Sequence, residues 1–353
     1  MNAVHAMGVE RWTTTSKVAV VAVAAVLVVL AVGPGIFGAG IVDRLTTLFI
    51  YVILAAMWNA LAGYGGLVSV GQQVFFGLGA YFAIRLADAG LDPFLSLVVG
   101  AVVVGVIAVP TSVLMLRLKG GEFAIGMWVI AALAHLLVNL DTLVRGETGT
   151  SLIALNAYAV GARRDGIYWL ALAAMVVLLG MLYALLSSRP GAAIQAIRDN
   201  EDAAASLGVR VMRTKRILFV LAALGAAMAG TLWLATSITF QPNSFFGVQW
   251  TAYMIFMVLV GGIGTFEGAI LGAIIFFLIE SWFGATGVWY LIGLGGTALV
   301  FSLLLSRGLW GAIDDRFQLR LLPVGYRLTD RRDGGDGILP AEVEPAVSSG
   351  GEQ

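Results

Sequence analysis

The chain has 353 residues, 59% of them hydrophobic and only 12% charged, with a mean hydropathy of +0.93 and a formal net charge of zero. Soluble domains carry about 25% charged residues, so the composition excludes an ordinary water-soluble globule, and the balanced charge gives no basis for a nucleic-acid partner. The absence of cysteine excludes disulfides, thiolate nucleophiles and Cys-based metal sites, and His5 and His135 are too few for a His-rich one, so no metal and no cofactor is expected.

In chain order, apolar segments near the roughly 20 residues that cross a bilayer core fall at 17–37, 44–62, 68–87, 93–116, 122–143, 168–188, 217–236, 249–264, 266–284 and 287–306. The reading is an all-α polytopic membrane protein with about ten transmembrane helices, some broken by glycine. The first segment is longer than the apolar core of a signal peptide and more spans follow it, so it is read as an uncleaved helix. Placing the opening residues in the cytoplasm puts sixteen Lys and Arg on that side and five on the other, in the sense of the positive-inside rule. Both termini then face the cytoplasm. The expected organisation is a cytoplasmic N-terminus (1–16), a permease domain (17–306), an interfacial segment (307–329) and a disordered acidic tail (330–353) too poor in apolar residues to fold.

One stretch breaks the apolar pattern. Residues 189–216, RPGAAIQAIRDNEDAAASLGVRVMRTKR, concentrate charge between two spans. The portion 192–207 reads as one helix, with Pro190 near its start and Gly208 at its stop. A charged loop that only satisfies the charge bias explains these residues on composition alone. Asp202, Ala203, Ala204 and Gly208, however, fit D-A-A-x-x-x-G.

That pattern is similar to the E-A-A-x-x-x-G signature of ABC-importer permeases, with Asp in place of Glu. WNALAGYGGLVSVGQQVFFGLGAYFA (58–83) and GGIGTFEGAILGA (261–273) resemble the two glycine-rich segments of the same family. Together, over roughly residues 40–306, the chain resembles the LivM-type permeases of branched-chain amino acid ABC importers. The family has His where this chain has Gln72, so a role for a titrating proton there is in doubt. The resemblance implies a coupling helix in 189–216, with Arg198, Asp199, Glu201, Asp202, Ala203, Ala204, Gly208 and Arg213 engaging an ATPase. It also implies as partners a second, LivH-like permease, two ATP-binding cassette subunits and a periplasmic or surface-anchored substrate-binding protein, in the inner membrane of a bacterium. Urea, short amides and other amino acids are alternative cargoes.

Polar side chains within spans are costly and should face protein or water. Asn59, Gln72, Gln73, His135 and Asn139, with Phe76, are candidates for a translocation path; interhelical hydrogen bonding is the competing reading. His135 and Asn139 are four residues apart and share a helix face. Gly63, Gly65 and Gly66 fit either close packing or a broken helix facing a cavity. Gly264, Gly268 and Gly272 have the small-xxx-small spacing of helix packing. No catalytic residue stands out, and no G-x-x-x-x-G-K-[ST] match is present, so the chain is read as a transporter subunit rather than an enzyme. A stand-alone secondary transporter or channel is the competing mechanism, and the scarcity of intramembrane acids disfavours it.

Overall fold

The computed structural model describes residues 7–10, 14–305, 307–317 and 327–330. A short strand β1 (Met7–Glu10) precedes α1 (Thr14–Ala31), a single turn α2 (Gly33–Ile36) and α3 (Ala39–Asn59). A π-helical turn over Ala60–Tyr64 closes α3, and after a non-helical stretch the chain re-enters helix as α4 (Gln73–Asp88). Then come α5 (Pro93–Met115), α6 (Gly120–Asn139), β2 (Thr150–Ser151), α7 (Val160–Leu186), α8 (Arg189–Asp199), α9 (Glu201–Ser206) and α10 (Val211–Ser237). The chain continues with β3 (Thr239–Phe240), α11 (Pro242–Phe245), α12 (Gln249–Gly261), α13 (Phe266–Phe283), α14 (Val288–Leu304), α15 (Gly308–Phe317) and β4 (Arg327–Asp330). Two small antiparallel pairings, β1 with β4 and β2 with β3, are the sheet structure among the described residues.

Seven helical segments among the described residues are long and apolar enough to cross a membrane, and 18–31 and 289–301 form shorter apolar helices. The expected count of about ten is not confirmed by these. The largest departure is the expected span 68–87. Its first residues are non-helical, and the helix begins only at Gln73; the glycines at 63, 65 and 71 before it sit where a Cβ would strike backbone or side chain, and Gly66 takes φ +67°. The tail beyond 330 and most of the N-terminal segment lie outside the described residues.

α10 forms the centre of the bundle, packed on α3, α4, α5 and α7, with the α12–α13 hairpin against α3. Its Ala- and Gly-rich face permits that closeness, since apolar lipid gives no hydrophobic drive and van der Waals contact must hold the helices together. Gly230 lies against the Phe76 carbonyl and Gly79 against the Ala227 carbonyl, so a Cβ at either would strike backbone. The long windows of α3 and α10 are 83% and 78% buried within protein, against 28% for α6, which marks the first two as inner helices and α6 as peripheral. Val102, Val106 and Leu133 are exposed apolar residues, as a lipid-facing surface requires.

Candidate functional site

The insert between α7 and α10 is not one helix. At Asn200 the backbone is extended (φ −158°), and its side chain accepts a hydrogen bond from the Ala203 amide at 3.0 Å, so it caps a second helix. Asparagine at such a position, followed by Glu201 and Asp202 in the first turn, is a helix start signal. The expected continuous helix over 192–207 therefore becomes two, α8 and α9. Gly208 takes φ +85°, the left-handed conformation of a helix stop, where the sequence places it.

The insert has an inward and an outward side. Inward, Lys215 donates to the Glu201 carboxylate at 2.6 Å, and Ile194, Ile197 and Ala204 are buried. The Arg198 guanidinium donates to the Gly63 carbonyl at 3.0 Å and to Asp199 Oδ1 at 3.0 and 3.1 Å. Outward lie Asp199, Asp202, Ala203, Gly208 and Arg213. Leu207 is 84% exposed beside them. That leucine was not singled out from the sequence, where it is one of the unspecified positions of the D-A-A-x-x-x-G pattern.

The candidate path residues all have partners inside the protein. Asn59 is buried; its Nδ2 donates to the Thr265 carbonyl at 2.8 Å and its Oδ1 accepts from the Gly264 amide at 2.8 Å. Gln73 accepts from the Thr251 hydroxyl, and the buried Phe76 ring lies 4.2 Å from that of Trp250. Gln72 Nε2 reaches the Ala222 carbonyl at 3.3 Å, while its buried Oε1 meets no donor among the described residues. At the opposite end of the bundle, His135 Nε2 and Asn139 Nδ2 both meet Glu147 Oε1, at 2.8 and 2.5 Å. Glu147 Oε2 accepts from the Asn243 amide at 3.0 Å, and the His135 ring stacks on Phe246. Burial would raise the Glu147 carboxyl, but the Asn139 amide, the Asn243 N–H and His135 hold it below the ordinary carboxylate range. The shared helix face of His135 and Asn139 holds as expected; their partner Glu147, in a distant loop, was not foreseen.

Most of these contacts converge on the back of α11 and α12. Thr251, Trp250 and Phe246 are gripped from behind, and Asn59 holds the turn that ends α12. The front of α11 and α12 lines a cavity of about 810 Å³ with α14. Gln241, Asn243 and Gln249 line it with Tyr253, Phe256 and Leu294, a few amides beside a mostly apolar wall. That combination of apolar wall and few polar groups is typical of small-molecule sites.

The glycines divide by role. Gly268 and Gly272 bring α13 onto the backbone of α12 at Gly261 and Met257, as helix packing requires. Gly264 stands outside the helix, at φ +75°, in the turn between the two. Gly63 and Gly65 belong to the broken end of α3, and Gly66, at φ +67°, redirects the chain. Glu280, an acid in the last turn of α13, is hydrogen-bonded by Tyr51 and faces Tyr253 and Tyr290.

Glycine-broken apolar helices around a compact core, with a polar two-helix insert, define a multi-pass membrane protein. Residues 40–309 match the family model described as branched-chain amino acid transport system / permease component. The chain belongs to that family as a LivM-type member, an ABC-importer permease of the branched-chain amino acid type. It is 28% identical over 311 residues to the high-affinity branched-chain amino acid transport system permease protein LivM of Escherichia coli, covering 80% of this chain and 73% of that one. The fructose import permease protein FruG of Bifidobacterium longum is 24% identical, over 80% of this chain and 88% of that one. An inward-facing metal-chelate type ABC transporter aligns with a TM-score of 0.44 and 17% identity over 75% of this chain and 89% of that one, too distant a likeness to add to the assignment.

Proposed function

We propose that this chain passes branched-chain amino acids from a separate binding protein across a bacterial inner membrane, as one of two permeases driven by a pair of ATPase subunits. The observation that carries the reading is the two-sided insert. Its inner side is locked to the bundle through Arg198 and the Lys215–Glu201 pair, and its outer side offers Leu207 among Asp199, Asp202 and Arg213. An element rigid on one side and free on the other transmits a push. The sequence has no phosphate-binding loop of its own, so ATP binds elsewhere. The insert end and both termini face the cytoplasm in this reading, and the opposite end receives the binding protein.

The solute runs along the cavity between α12 and α14. Its amides hydrogen-bond the polar groups of a small amphipathic solute, and Phe256, Leu291 and Leu294 accept a branched apolar side chain. Among the described residues no charged side chain lines this cavity, so binding is weak, as suits a conduit fed by another protein. His135, Asn139 and Glu147 connect to it through Asn243. The similarity to a fructose permease keeps a wider range of polar solutes in view, including urea and short amides.

The experiment is purification of the chain from its native membrane in mild detergent, followed by identification of what accompanies it. The proposal expects ATP-binding cassette subunits and a second permease, both released by Leu207→Asp with Arg213→Glu. A chain that purifies alone, or whose partners are indifferent to those substitutions, contradicts it. Labelled-leucine binding by the partner binding protein then identifies the cargo.

A further inference from the structure

Arg198 reads from sequence as a residue that docks an ATPase, yet its side chain, 38% exposed, also bonds Asp199 and turns Nη1 onto the Gly63 carbonyl of the bundle. Gly63 lies within the π-helical turn that ends α3, where a carbonyl lacks the usual partner one turn on. Arg198 supplies the donor at 3.0 Å, and its positive charge suits the negative end of a helix. The stem of Arg198 lies over Gly66, where a Cβ would come within 3.2 Å of Arg198 Cγ. On the other side, a Cβ on Gly264 would lie 3.4 Å from Arg198 Nη1. A single side chain from the insert therefore sits between both glycine breaks. Those breaks are joined to each other directly, because Asn59, one turn before Gly63, holds the Gly264 amide and the Thr265 carbonyl.

We infer that Arg198 is a positioning residue that links the insert to the two broken segments, so that displacement of α8 re-registers the end of α3 and the α12–α13 turn together. The inference deepens the proposed function and rests on the insert being driven by a separate ATPase. The two segments it reaches lead directly to the non-helical stretch 66–72 and to α12, one wall of the cavity. The link needs the planar, multi-donor geometry of arginine: one N–H pair stays on Asp199 while another holds Gly63. Neither lysine nor glutamine reproduces both.

The test uses the complex that co-purifies with the unsubstituted chain, reconstituted with its binding protein and labelled leucine. Arg198→Gln and Arg198→Lys are compared with Arg213→Glu on the outward side. The inference expects both Arg198 variants to keep their ATPase subunits and their ATP hydrolysis, while solute moved per ATP falls on the order of ten-fold, the scale of one lost charge-assisted hydrogen bond. Arg213→Glu should instead lose the ATPase. The chain has no cysteine, so Val68→Cys, an exposed position in the non-helical stretch, gives a second readout. Its thiol-labelling rate should change between ATP-bound and nucleotide-free states with Arg198 present and stop changing without it. Loss of ATPase association in the Arg198 variants would return the residue to a docking role and overturn the inference, as would unchanged transport per ATP. Absence of any ATPase from the unsubstituted preparation would sink the proposed function instead, which keeps the two failures apart.

Discussion

Asn59 and Gly264, 205 residues apart, are joined by a hydrogen bond of 2.8 Å from the Gly264 amide to the Asn59 carboxamide oxygen, and the same side chain donates to Thr265. One amide thus closes the end of α3 onto the turn between α12 and α13. Asn59→Leu would leave a donor and an acceptor unpaired, at about 1–3 kcal/mol each, nearer the lower figure because Gly264 and Thr265 are half-buried. A fall in the thermal midpoint of the purified chain is expected, with Asn59→Asp intermediate. An unchanged midpoint in both variants would show that the bond holds nothing.

Glycines of equal apparent weight in the sequence should respond oppositely. A Cβ at Gly272 strikes the Met257 carbonyl, whereas one at Gly293 meets nothing within 4 Å. Gly272→Val should abolish recovery of folded protein, since backbone cannot move aside as a side chain can. Gly293→Val should be recovered normally. Size-exclusion profiles of the two variants decide the point; similar profiles would contradict the close helix packing described for α12 and α13.

The cavity makes a sharper demand on three neighbouring glycines of α14. Gly295 lines it and Gly293 and Gly296 do not, though all three have free space around them. Gly295→Trp should therefore block uptake while leaving protein level and ATPase association intact, and Trp at 293 or 296 should leave uptake near normal. Equal effects from all three would remove the cavity from the solute route.

At the far end of the bundle Asp141 accepts from Arg85 at 2.6 and 2.7 Å and from Tyr81 at 2.5 Å. Burial would raise its carboxyl, but the Tyr81 hydroxyl, the Leu143 amide and Arg85 together hold it below the usual value of about 3.9. A depressed folded-state value means the stabilisation is fully present above that usual value and is lost as pH falls through the lower one. The Arg85 side chain is 43% exposed, so solvent screens the pair and the contribution is about 1 kcal/mol or less. The difference in thermal midpoint between the unsubstituted chain and Asp141→Asn should stay constant from pH 8 to about 5 and shrink towards pH 3. A difference that grows on acidification would reverse the sign argued here.

Much of this arrangement is legible in the sequence, and the residues show where legibility stops. Hydropathy alone marks the long inner and outer helices, because lipid forces every spanning backbone to satisfy itself. It fails at 68–87, where the apolar run is continuous but Gly63, Gly65, Gly66 and Gly71 let the backbone leave the helix and pack against neighbours far along the chain. His135 and Asn139 announce a shared face by their spacing, but nothing local predicts Glu147 as partner, since it arrives through a loop. Asn200 was readable as a cap and was masked by the alanine-rich helix signal around it. The direction of Arg198 was not readable at all. Whether a cation in a charged loop faces a partner or a stray carbonyl is decided by tertiary structure.

The central claim is that solute movement through this permease is powered from outside the chain, through the 189–216 insert. It is tested most directly by labelled-leucine uptake into proteoliposomes, with and without the co-purifying ATPase and internal ATP. Uptake that needs both, and that vanishes when Leu207→Asp with Arg213→Glu releases the ATPase, is the predicted result. Accumulation driven by an ion gradient in vesicles holding this polypeptide alone would contradict it.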